Sequence, residues 1–260
     1  MSVRIGLQVQ PQHATFDQMR DAWLEAEELG VDTLFTWDHF YPLYGPPDGE
    51  HFECLTTLGA MAQVTSRAQI GALVVCNSYR NPELLADAHR TIDHISGGRC
   101  ILGIGAGWFQ RDYDEYGYEF GTAPDRLRAL SRDLPRIEAR LAKLNPGPIG
   151  PLPILIGGSG PKVTLRLVAQ HASMWHSFGD ADAYRQKAET LAGHCAAAGR
   201  DPSEIEHTWG VQGKLLDHVD ELHAAGVGHF ILGVGGAPGG YDLDPLRELL
   251  EWRDRQGAAA

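Results

Sequence analysis

The sequence is poor in cysteine and in basic residues, and each shortage argues against a class of protein. Its 260 residues include four cysteines, which lie far apart and form no CxxC pair. This spacing suggests neither a zinc site nor a disulfide framework, so we expect reduced thiols and a cytoplasmic protein. Lysine and arginine number 22 against 34 acidic residues, and the formal net charge is -12. Nucleic acid is therefore not an expected partner.

Long apolar runs and several well-known catalytic motifs are also absent. No run approaches the ~18 apolar residues of a membrane helix, so we expect no contact with a membrane. The opening residues MSVRIGLQVQ lack the apolar segment of a secretory signal peptide. The sequence contains no P-loop, no GxSxG elbow and no HExxH motif. We therefore expect neither ATP chemistry nor a metal site.

Short β-branched or apolar segments alternate with longer amphipathic segments along the chain. The predicted strands are residues 4–9, 33–38, 69–75, 100–106, 153–157, 174–178, 206–211 and 229–234. Helical patterns follow the strands and are clearest at 17–30, 82–98 and 180–199. Eight such units in about 250 residues predict an α/β fold, a single (β/α)8 TIM barrel. The alternative is an open, doubly wound sheet.

In a barrel of this kind, the carboxyl ends of all eight strands surround one pocket. Aromatic side chains, an amide and a histidine at these ends are expected to contact a substrate: Gln8, Trp37, Trp108, Trp175, His176 and Trp209. Aromatic walls and glycine-rich turns are suited to a large flat cofactor that carries a phosphate. The strand ends therefore favour a cofactor site.

Two glycine-rich turns follow predicted strands. Residues 157–160, GGSG, lie between the fifth strand and a helix, where backbone N–H groups and the helix dipole can attract an anion. Lys162 and Arg166 add positive charge nearby. This pattern favours a phosphate site, although such a turn can also be purely structural. Residues 103–108, GIGAGW, are a weaker signal because the third glycine comes too early for GxGxxG.

Asp38 and His39 end the second predicted strand. An imidazole titrates near neutral pH, and a carboxylate can orient it, so these residue types suit a general acid or base. Neighbouring residues of a strand face opposite sides, so the two side chains are not expected to pair with each other unless the strand has already ended. The alternative interpretation is a helix cap beside a surface histidine.

Four stretches, which together span most of the chain, resemble the bacterial luciferase-like flavin and deazaflavin oxidoreductases, in particular the coenzyme F420-dependent branch of actinobacteria. They are RIGLQV, AEELGVDTLFTWDHF, YRNPELLADAHRTIDHISGGRCILGIGAGW and PILIGGSGPKVTLRLVAQHASMWH. The resemblance implies that residues 1–260 form one TIM-barrel domain. It also implies hydride transfer between coenzyme F420 and a small organic substrate.

The resemblance also assigns roles to individual residues. Two turns would contact the cofactor, its phosphate at Gly157, Gly158, Ser159 and Gly160 and its side chain at Gly105, Ala106 and Gly107. A bulge with a non-proline cis peptide, at or near Leu73 and Val74, would lie behind the tricyclic ring. Asp38 would touch the ring. His39 would lie beside the reactive carbon and exchange the proton that accompanies the hydride.

The chain departs from the sugar-phosphate dehydrogenases of this branch in two places. Trp108 stands where those enzymes have a glutamate, which argues against a sugar phosphate as substrate. The segment GVQGK after the seventh strand is short, which implies an open site or one covered by a partner. A homodimer is left open by the sequence.

Two alternatives share the same barrel. One is an FMN-dependent monooxygenase that receives reduced flavin from a partner reductase, and the other is a non-catalytic flavin-binding protein. The polyglutamate tail of F420 needs basic groups near the pocket mouth. Four residues could supply them: Arg80, Arg111, Lys162 and Arg166. Their presence favours the deazaflavin over FMN.

Overall fold

The computed structural model describes residues 3–211 and 216–258. Its strands are β1 (Arg4–Val9), β2 (Thr33–Thr36), β3 (Gln69–Ala72), β4 (Val75–Cys76), β5 (Cys100–Gly105), β6 (Ile154–Gly157), β7 (Met174–Phe178), β8 (Glu206–Val211) and β9 (His229–Val234). Its helices are α1 (Phe16–Leu29), α2 (Cys54–Val64), α3 (Pro82–Ser96), α4 (Gln110–Tyr116), α5 (Ala123–Leu141), α6 (Thr164–His171), α7 (Ala181–Ala198), α8 (Leu216–Ala225) and α9 (Asp244–Ala258).

The strands close into a parallel barrel. β1 pairs with both β2 and β9, and the pairing of β3 with β5 completes the ring. β3 and β4 are two halves of one barrel strand, because both pair with β5 and only Leu73 and Val74 separate them. The barrel therefore has eight strands, as the sequence predicts, and the open-sheet alternative is wrong.

Three helices begin and end at residues that favour those ends. Thr15 caps α1 through its side chain, and Asn81 and Asp180 do the same for α3 and α7. Each of these three helices ends at a glycine with a left-handed backbone, as at Gly30, where φ is 102°. These local signals explain why the sequence predicts these three helices most clearly.

Polar side chains join the amino ends of four strands, opposite the pocket. Arg4 Nη1 donates to Glu206 Oε1 at 2.7 Å, and His229 Nδ1 lies 2.9 Å from the same oxygen. His229 Nε2 lies 2.9 Å from Thr33 Oγ1. Each residue begins its strand, so this network fixes the ends of β1, β2, β8 and β9 relative to one another. In barrels this face serves stability, whereas the carboxyl ends carry function.

Candidate active site

The carboxyl ends of the strands surround a cavity of about 1010 Å³. The predicted site residues that line it are Gln8, Trp37, Asp38, His39, Leu73, Val74, Gly105, Ala106, Gly107, Trp108, Gly157, Gly158 and His176. This volume is at the upper end for small-molecule sites, so the cavity has room for a cofactor together with a substrate. The structure thus brings most of the predicted site to one place.

Trp175 and Trp209 lie outside this cavity, which corrects the sequence prediction. Both are fully buried, and their rings contact each other edge to face at 5.7 Å. Each indole Nε1 donates at 2.8 Å to a backbone carbonyl, that of Gly158 or Gly179. Side chains alternate along a strand, and His176 faces the cavity, so Trp175 must face the helices. The prediction fails because an aromatic residue at a strand end lines the pocket only when its side chain faces the inside of the barrel.

The bulge between β3 and β4 forms one wall of the cavity. The Leu73–Val74 peptide is cis, which confirms the expected position. Gln8 Nε2 donates to the Leu73 carbonyl at 2.7 Å, and the Leu73 N–H donates to the Thr36 carbonyl at 2.8 Å. The bulge is therefore held from two neighbouring strands, and both of its residues line the cavity.

The glycines of the turn after β5 are required by packing against the bulge and α4. A Cβ on Gly105 would lie 2.7 Å from Val74 Cγ2, and one on Gly107 would lie 2.0 Å from Tyr113 Oη. Gly107 also has a φ of 82°, which side-chain-bearing residues rarely adopt. The backbone of this turn can therefore lie against the cavity, where Gly105, Ala106 and Gly107 are exposed to a ligand.

His39 is held by a carboxylate that sequence reasoning missed. Its Nδ1 lies 2.8 Å from Oδ2 of Asp112, a fully buried residue of α4. Asp112 also accepts from the Tyr79 hydroxyl at 3.0 Å and from the Phe40 N–H at 3.1 Å. These bonds commit Nδ1 of His39 to Asp112. His39 Nε2 has no hydrogen-bond partner within residues 3–211 and 216–258 and can face a ligand.

Aromatic rings surround the imidazole of His39 edge to face. The ring centroids of Trp37, Trp108 and Phe109 lie 5.6, 5.7 and 5.4 Å from that of His39. Trp37 Nε1 donates to His51 Nε2 at 3.0 Å. Burial, together with the neighbouring His39, lowers the pKa of His51 to about 4, so its ring is neutral at pH 7 and can accept this bond.

Asp38 does not pair with His39, although β2 ends before them at Thr36 and both line the cavity. Its Oδ1 accepts from Arg80 Nη2 at 2.9 Å, and its Oδ2 accepts from Arg80 Nη1 at 2.5 Å and from the Cys76 N–H at 2.9 Å. Arg80 also donates to Glu53 at 2.6 Å. Burial opposes the charge on Arg80, but the bonds to Asp38 outweigh it and raise the arginine pKa. Arg80 and the Cys76 N–H thus hold the Asp38 side chain in the cavity wall.

His176 lines the cavity, and its nitrogen Nδ1 lies 2.9 Å from Thr208 Oγ1. Burial, with the nearby His229, lowers the pKa of His176 to about 3. The ring is therefore neutral near pH 7 and cannot donate a proton as an imidazolium there. His39 is the better candidate for that role.

The turn after β6 offers backbone donors at its outer end. Gly158 has a φ of 121°, and its N–H donates to the His176 carbonyl at 3.0 Å. That amide is therefore engaged, and Ser159 and Gly160 continue the turn beyond the residues that line the cavity. Several amides of this segment have no acceptor within the part of the chain that the structure describes, among them those of Ser159, Gly160, Lys162 and Val163. An anion would therefore be held beyond Gly158.

Two of the four predicted rim cations are engaged elsewhere. Arg80 binds Asp38 and Glu53, and Arg111 binds Asp48 and the Pro47 carbonyl while its guanidinium lies over the Tyr41 ring. Lys162 and Arg166 are exposed and form no ion pair with any described residue. The prediction that Arg80 and Arg111 are available to a cofactor tail is therefore wrong.

Other features of the described residues bear on the site only indirectly. The four cysteines are free and buried. No group of three or more histidine, cysteine, aspartate or glutamate side chains in residues 3–211 and 216–258 is arranged to hold a metal ion. None of the helices described is both long and apolar enough to span a bilayer. Residues 212–214, most of the predicted short segment GVQGK, lie outside the described residues.

Comparison with known families assigns the chain to one of them. The profile of the family described as luciferase-like monooxygenase matches residues 1–225. The chain belongs to this luciferase-like family. Membership agrees with the resemblance drawn from the sequence, and the fold of the family is the eight-stranded barrel described above.

Individual relatives are similar to this luciferase-like chain over part of their length. An F420-dependent glucose-6-phosphate dehydrogenase of Amycolatopsis mediterranei is 31% identical over 157 residues, which are 54% of this chain and 47% of that protein. The protein with the same name from Microbacterium testaceum is 28% identical over 225 residues, 78% of this chain and 66% of that protein. The chain therefore spans about half to two thirds of the length of these relatives.

A solved structure shows the same fold. It is an F420-dependent secondary alcohol dehydrogenase in complex with an F420-acetone adduct, with a TM-score of 0.80 and 17% identity over 92% of this chain and 94% of that one. At this identity the likeness concerns the fold alone.

Proposed function

We propose that this luciferase-like chain is a coenzyme F420-dependent oxidoreductase that transfers a hydride between the deazaflavin and a small organic substrate. The observation that carries the proposal is that the Leu73–Val74 bulge and His39, which is held by Asp112, line the same cavity. The two relatives named as F420-dependent dehydrogenases support the choice of cofactor.

Residues that line the cavity or adjoin it fit a deazaflavin ring and phosphate. The unsatisfied amides of Ser159, Gly160, Lys162 and Val163 would hold a phosphate at the amino end of α6, and Lys162 would add positive charge. Leu73 and Val74 would support the ring from behind, and the turn at 105–107 would follow the cofactor's side chain. When bound, the deazaflavin supplies the carbon that gives or takes a hydride.

The chain's own part in the reaction is to position groups and to move a proton. Asp112 accepts from His39 Nδ1, which leaves Nε2 to give or take the proton of the substrate. Gln8 holds the carbonyl of the bulge, and Arg80 keeps Asp38 in the wall. The edge-to-face rings of Trp37 and Trp108 cover part of the imidazole, whose side chain is 13% exposed.

FMN with a partner reductase is the second candidate, since an FMN phosphate would use the same amides. The tail of F420 would now depend on Lys162 and Arg166 alone, because Arg80 and Arg111 are engaged. The names of the relatives favour F420. A flavin-binding protein without activity is the third candidate, and the His39–Asp112 pair argues against it.

Turnover assays separate these candidates. Purified protein is mixed with F420, oxidised or reduced, and with a panel of secondary alcohols, ketones, enones and imines, and the absorbance band of the deazaflavin is followed. We expect the band to change with at least one substrate. Tight binding with no change for any substrate would indicate the non-catalytic protein, and activity only with reduced FMN and oxygen would indicate the monooxygenase.

Three wider statements accompany this proposal. We infer that the whole chain, residues 1–260, is one barrel domain, since the described strands and helices run from residue 4 to residue 258. The four free, buried cysteines support a reducing compartment such as the cytoplasm. We also propose a homodimer, which sedimentation of the purified protein would test.

A further inference from the structure

We propose that the substrate is an uncharged molecule with a flat apolar body and one oxygen function, a ketone or the matching secondary alcohol, and not a sugar phosphate. This inference rests on the proposed function and names the class of substrate for the same cavity. It follows from what surrounds His39 Nε2, from the charges of the cavity and from the exposed rings at its mouth.

The subsite next to His39 is bounded by rings and an aliphatic side chain. Trp37 and Trp108 contact the imidazole edge to face, and the Tyr44 ring lies 6.4 Å from that of Trp37. Leu43 lines the same part of the cavity. A substrate that reaches Nε2 must therefore lie among surfaces that favour a flat, apolar body.

The described residues that line the cavity offer no positive charge to a phosphate near His39. None of the lining residues in the described part of the chain is lysine or arginine. Two aspartates line the cavity, and each already has a partner. Asp38 is paired with Arg80, and Asp180 caps α7 by accepting from the Ala183 N–H at 2.8 Å. Arg111, the cation of α4 nearest in sequence to Trp108, is bound to Asp48. A phosphate dianion would lose its hydration here without gaining a partner.

The polar groups of the subsite are few. Trp37 Nε1 is already committed to His51, and Nδ1 of His39 is committed to Asp112. His39 Nε2 and the exposed Tyr44 hydroxyl are left to contact a ligand. Two such groups can bind one carbonyl or hydroxyl oxygen, whereas a sugar with several hydroxyls would leave most of them unsatisfied.

Large aromatic side chains at the mouth of the cavity are exposed to solvent. Trp108 is 63% exposed, Tyr44 is 59% exposed and Phe178 is 71% exposed, and all three line the cavity. Large exposed apolar patches on soluble proteins mark binding surfaces. A flat apolar substrate would cover part of this surface as it enters.

The reaction balances for this class without a further reactant. In the reductive direction the carbonyl carbon gains a hydride as the reduced cofactor is oxidised, and the carbonyl oxygen gains a proton from His39. The C=O π bond, the C–H bond of the reduced cofactor that supplies the hydride and the N–H bond at His39 Nε2 break, while one C–H and one O–H bond form. The secondary alcohol leaves, and His39 regains a proton from water. Oxidation of the alcohol runs through the same steps in reverse.

Binding calorimetry tests the substrate class with acetophenone, 1-phenylethanol and glucose 6-phosphate as probes, on protein with and without F420. We expect the two uncharged aryl compounds to bind at least about tenfold more tightly than glucose 6-phosphate. Trp108→Glu should weaken acetophenone binding by about tenfold or more, because it removes the ring and adds a charge. Trp108→Phe, which keeps an aromatic ring, should change it by less than about threefold.

Tryptophan fluorescence gives a second readout, because Trp108 is exposed while the other five tryptophans are at most 6% exposed. We expect acetophenone to protect Trp108 from acrylamide quenching and glucose 6-phosphate not to protect it. Protection that depends on protein concentration and not on acetophenone would mean that a second copy covers the ring, and it would overturn the proposal. Tighter binding of glucose 6-phosphate, or an unaffected Trp108→Glu variant, would also overturn it.

The outcomes separate this inference from the proposed function. If F420 binds and glucose 6-phosphate is preferred, the substrate class is wrong while the cofactor assignment stands. If F420 does not bind but acetophenone still protects Trp108, the cofactor assignment is wrong while the apolar subsite stands.

Discussion

At the scale of single residues, the account depends on which nitrogen of His39 faces the cavity. Asp112 is fully buried and accepts hydrogen bonds from three groups, so its carboxylate has little freedom to move. A fixed acceptor at Nδ1 orients the imidazole and favours the tautomer in which that nitrogen carries the proton. Nε2 is then the nitrogen that exchanges a proton with the substrate.

Replacement of His39 tests its role as acid or base. His39→Asn keeps a hydrogen-bonding group but cannot exchange a proton near neutral pH, so turnover should fall about 10² to 10⁴-fold while the cofactor still binds. The pH profile should lose one limb. His171→Asn, on α6 and outside the cavity-lining residues, is the control. Near-normal turnover with an unchanged pH profile would mean that His39 only contacts the cofactor ring and transfers no proton.

Replacement of Asp112 tests whether it acts through His39. Asp112→Asn removes the anionic acceptor, so turnover should fall by about 10² or more, as expected when an imidazole loses its orienting carboxylate. Nitrogen NMR of the His39 ring, which needs no cofactor, should show a changed tautomer population. Asp114→Asn, an exposed position on the same helix, should change neither measurement. An unchanged His39 tautomer in Asp112→Asn would contradict the positioning role.

The residue scale is where sequence reasoning reaches its limit. His39 could be found because it closely follows a recognisable strand, but Asp112 lies 73 positions away and no motif links the two. Arg80 likewise lies 42 positions from Asp38, to which it donates a hydrogen bond, and no motif links these two residues. Partners of this kind are set by tertiary packing, and local patterns do not reveal them.

At the scale of elements, strand periodicity explains both a success and an error. The positions of the eight barrel strands are encoded locally, in short apolar runs that end at turn residues. Alternation along β7 and β8 then sends His176 and Thr208 to the inside and Trp175 and Trp209 to the outside. A prediction that applied this alternation to every strand end would have excluded both tryptophans from the pocket.

The turn between β6 and α6 can be tested by placing a charge in it. Ser159→Asp puts a carboxylate beside the unsatisfied amides, where it would repel a phosphate, so cofactor affinity should fall by about tenfold or more. Ser159→Asn is close in shape and uncharged, and its affinity should stay within about threefold of the wild type. The difference between the two variants should shrink in high salt. Equal affinities for both variants would place the phosphate elsewhere.

At the scale of the whole molecule, buried neutral histidines make stability depend on pH. Burial lowers the pKa of His51, His89 and His207 to about 4 and that of His176 to about 3, and it also lowers the pKa of His229. In the unfolded chain these rings would titrate near the ordinary value of 6.5. Below that pH the unfolded state binds more protons than the folded state, so stability is lost as the pH falls from 6.5 towards 4.

Denaturant unfolding at several pH values tests this dependence. Between about pH 7 and about pH 5.5 the free energy of unfolding should fall by about 2–6 kcal/mol, depending on how many of the five rings stay neutral. His89→Leu removes a fully buried ring whose Nε2 has no partner among the described residues, so the slope should decrease by up to about 1.4 kcal/mol per pH unit. A slope that is the same in both proteins would mean that His89 is not buried and neutral.

The net charge of -12 makes the whole molecule repel anions, so the bound cofactor must be held by a local site. Lys162 and Arg166 are the exposed cations beside the proposed phosphate site, and they would also meet the polyglutamate tail of F420. FMN has no such tail. The preference for one cofactor over the other therefore rests on this small basic region and on the fit of the ring.

Calorimetric titration of the purified protein with F420 and with FMN, at low and at high salt, tests the account most directly. We expect F420 to bind about tenfold more tightly than FMN at low salt, with an advantage that grows with tail length and shrinks as salt screens it. The double variant Lys162→Ala with Arg166→Ala should reduce that advantage, and Arg128→Ala, an exposed arginine of α5, should not. FMN binding that equals or exceeds F420 binding at low salt would contradict the assignment of this chain as an F420-dependent enzyme.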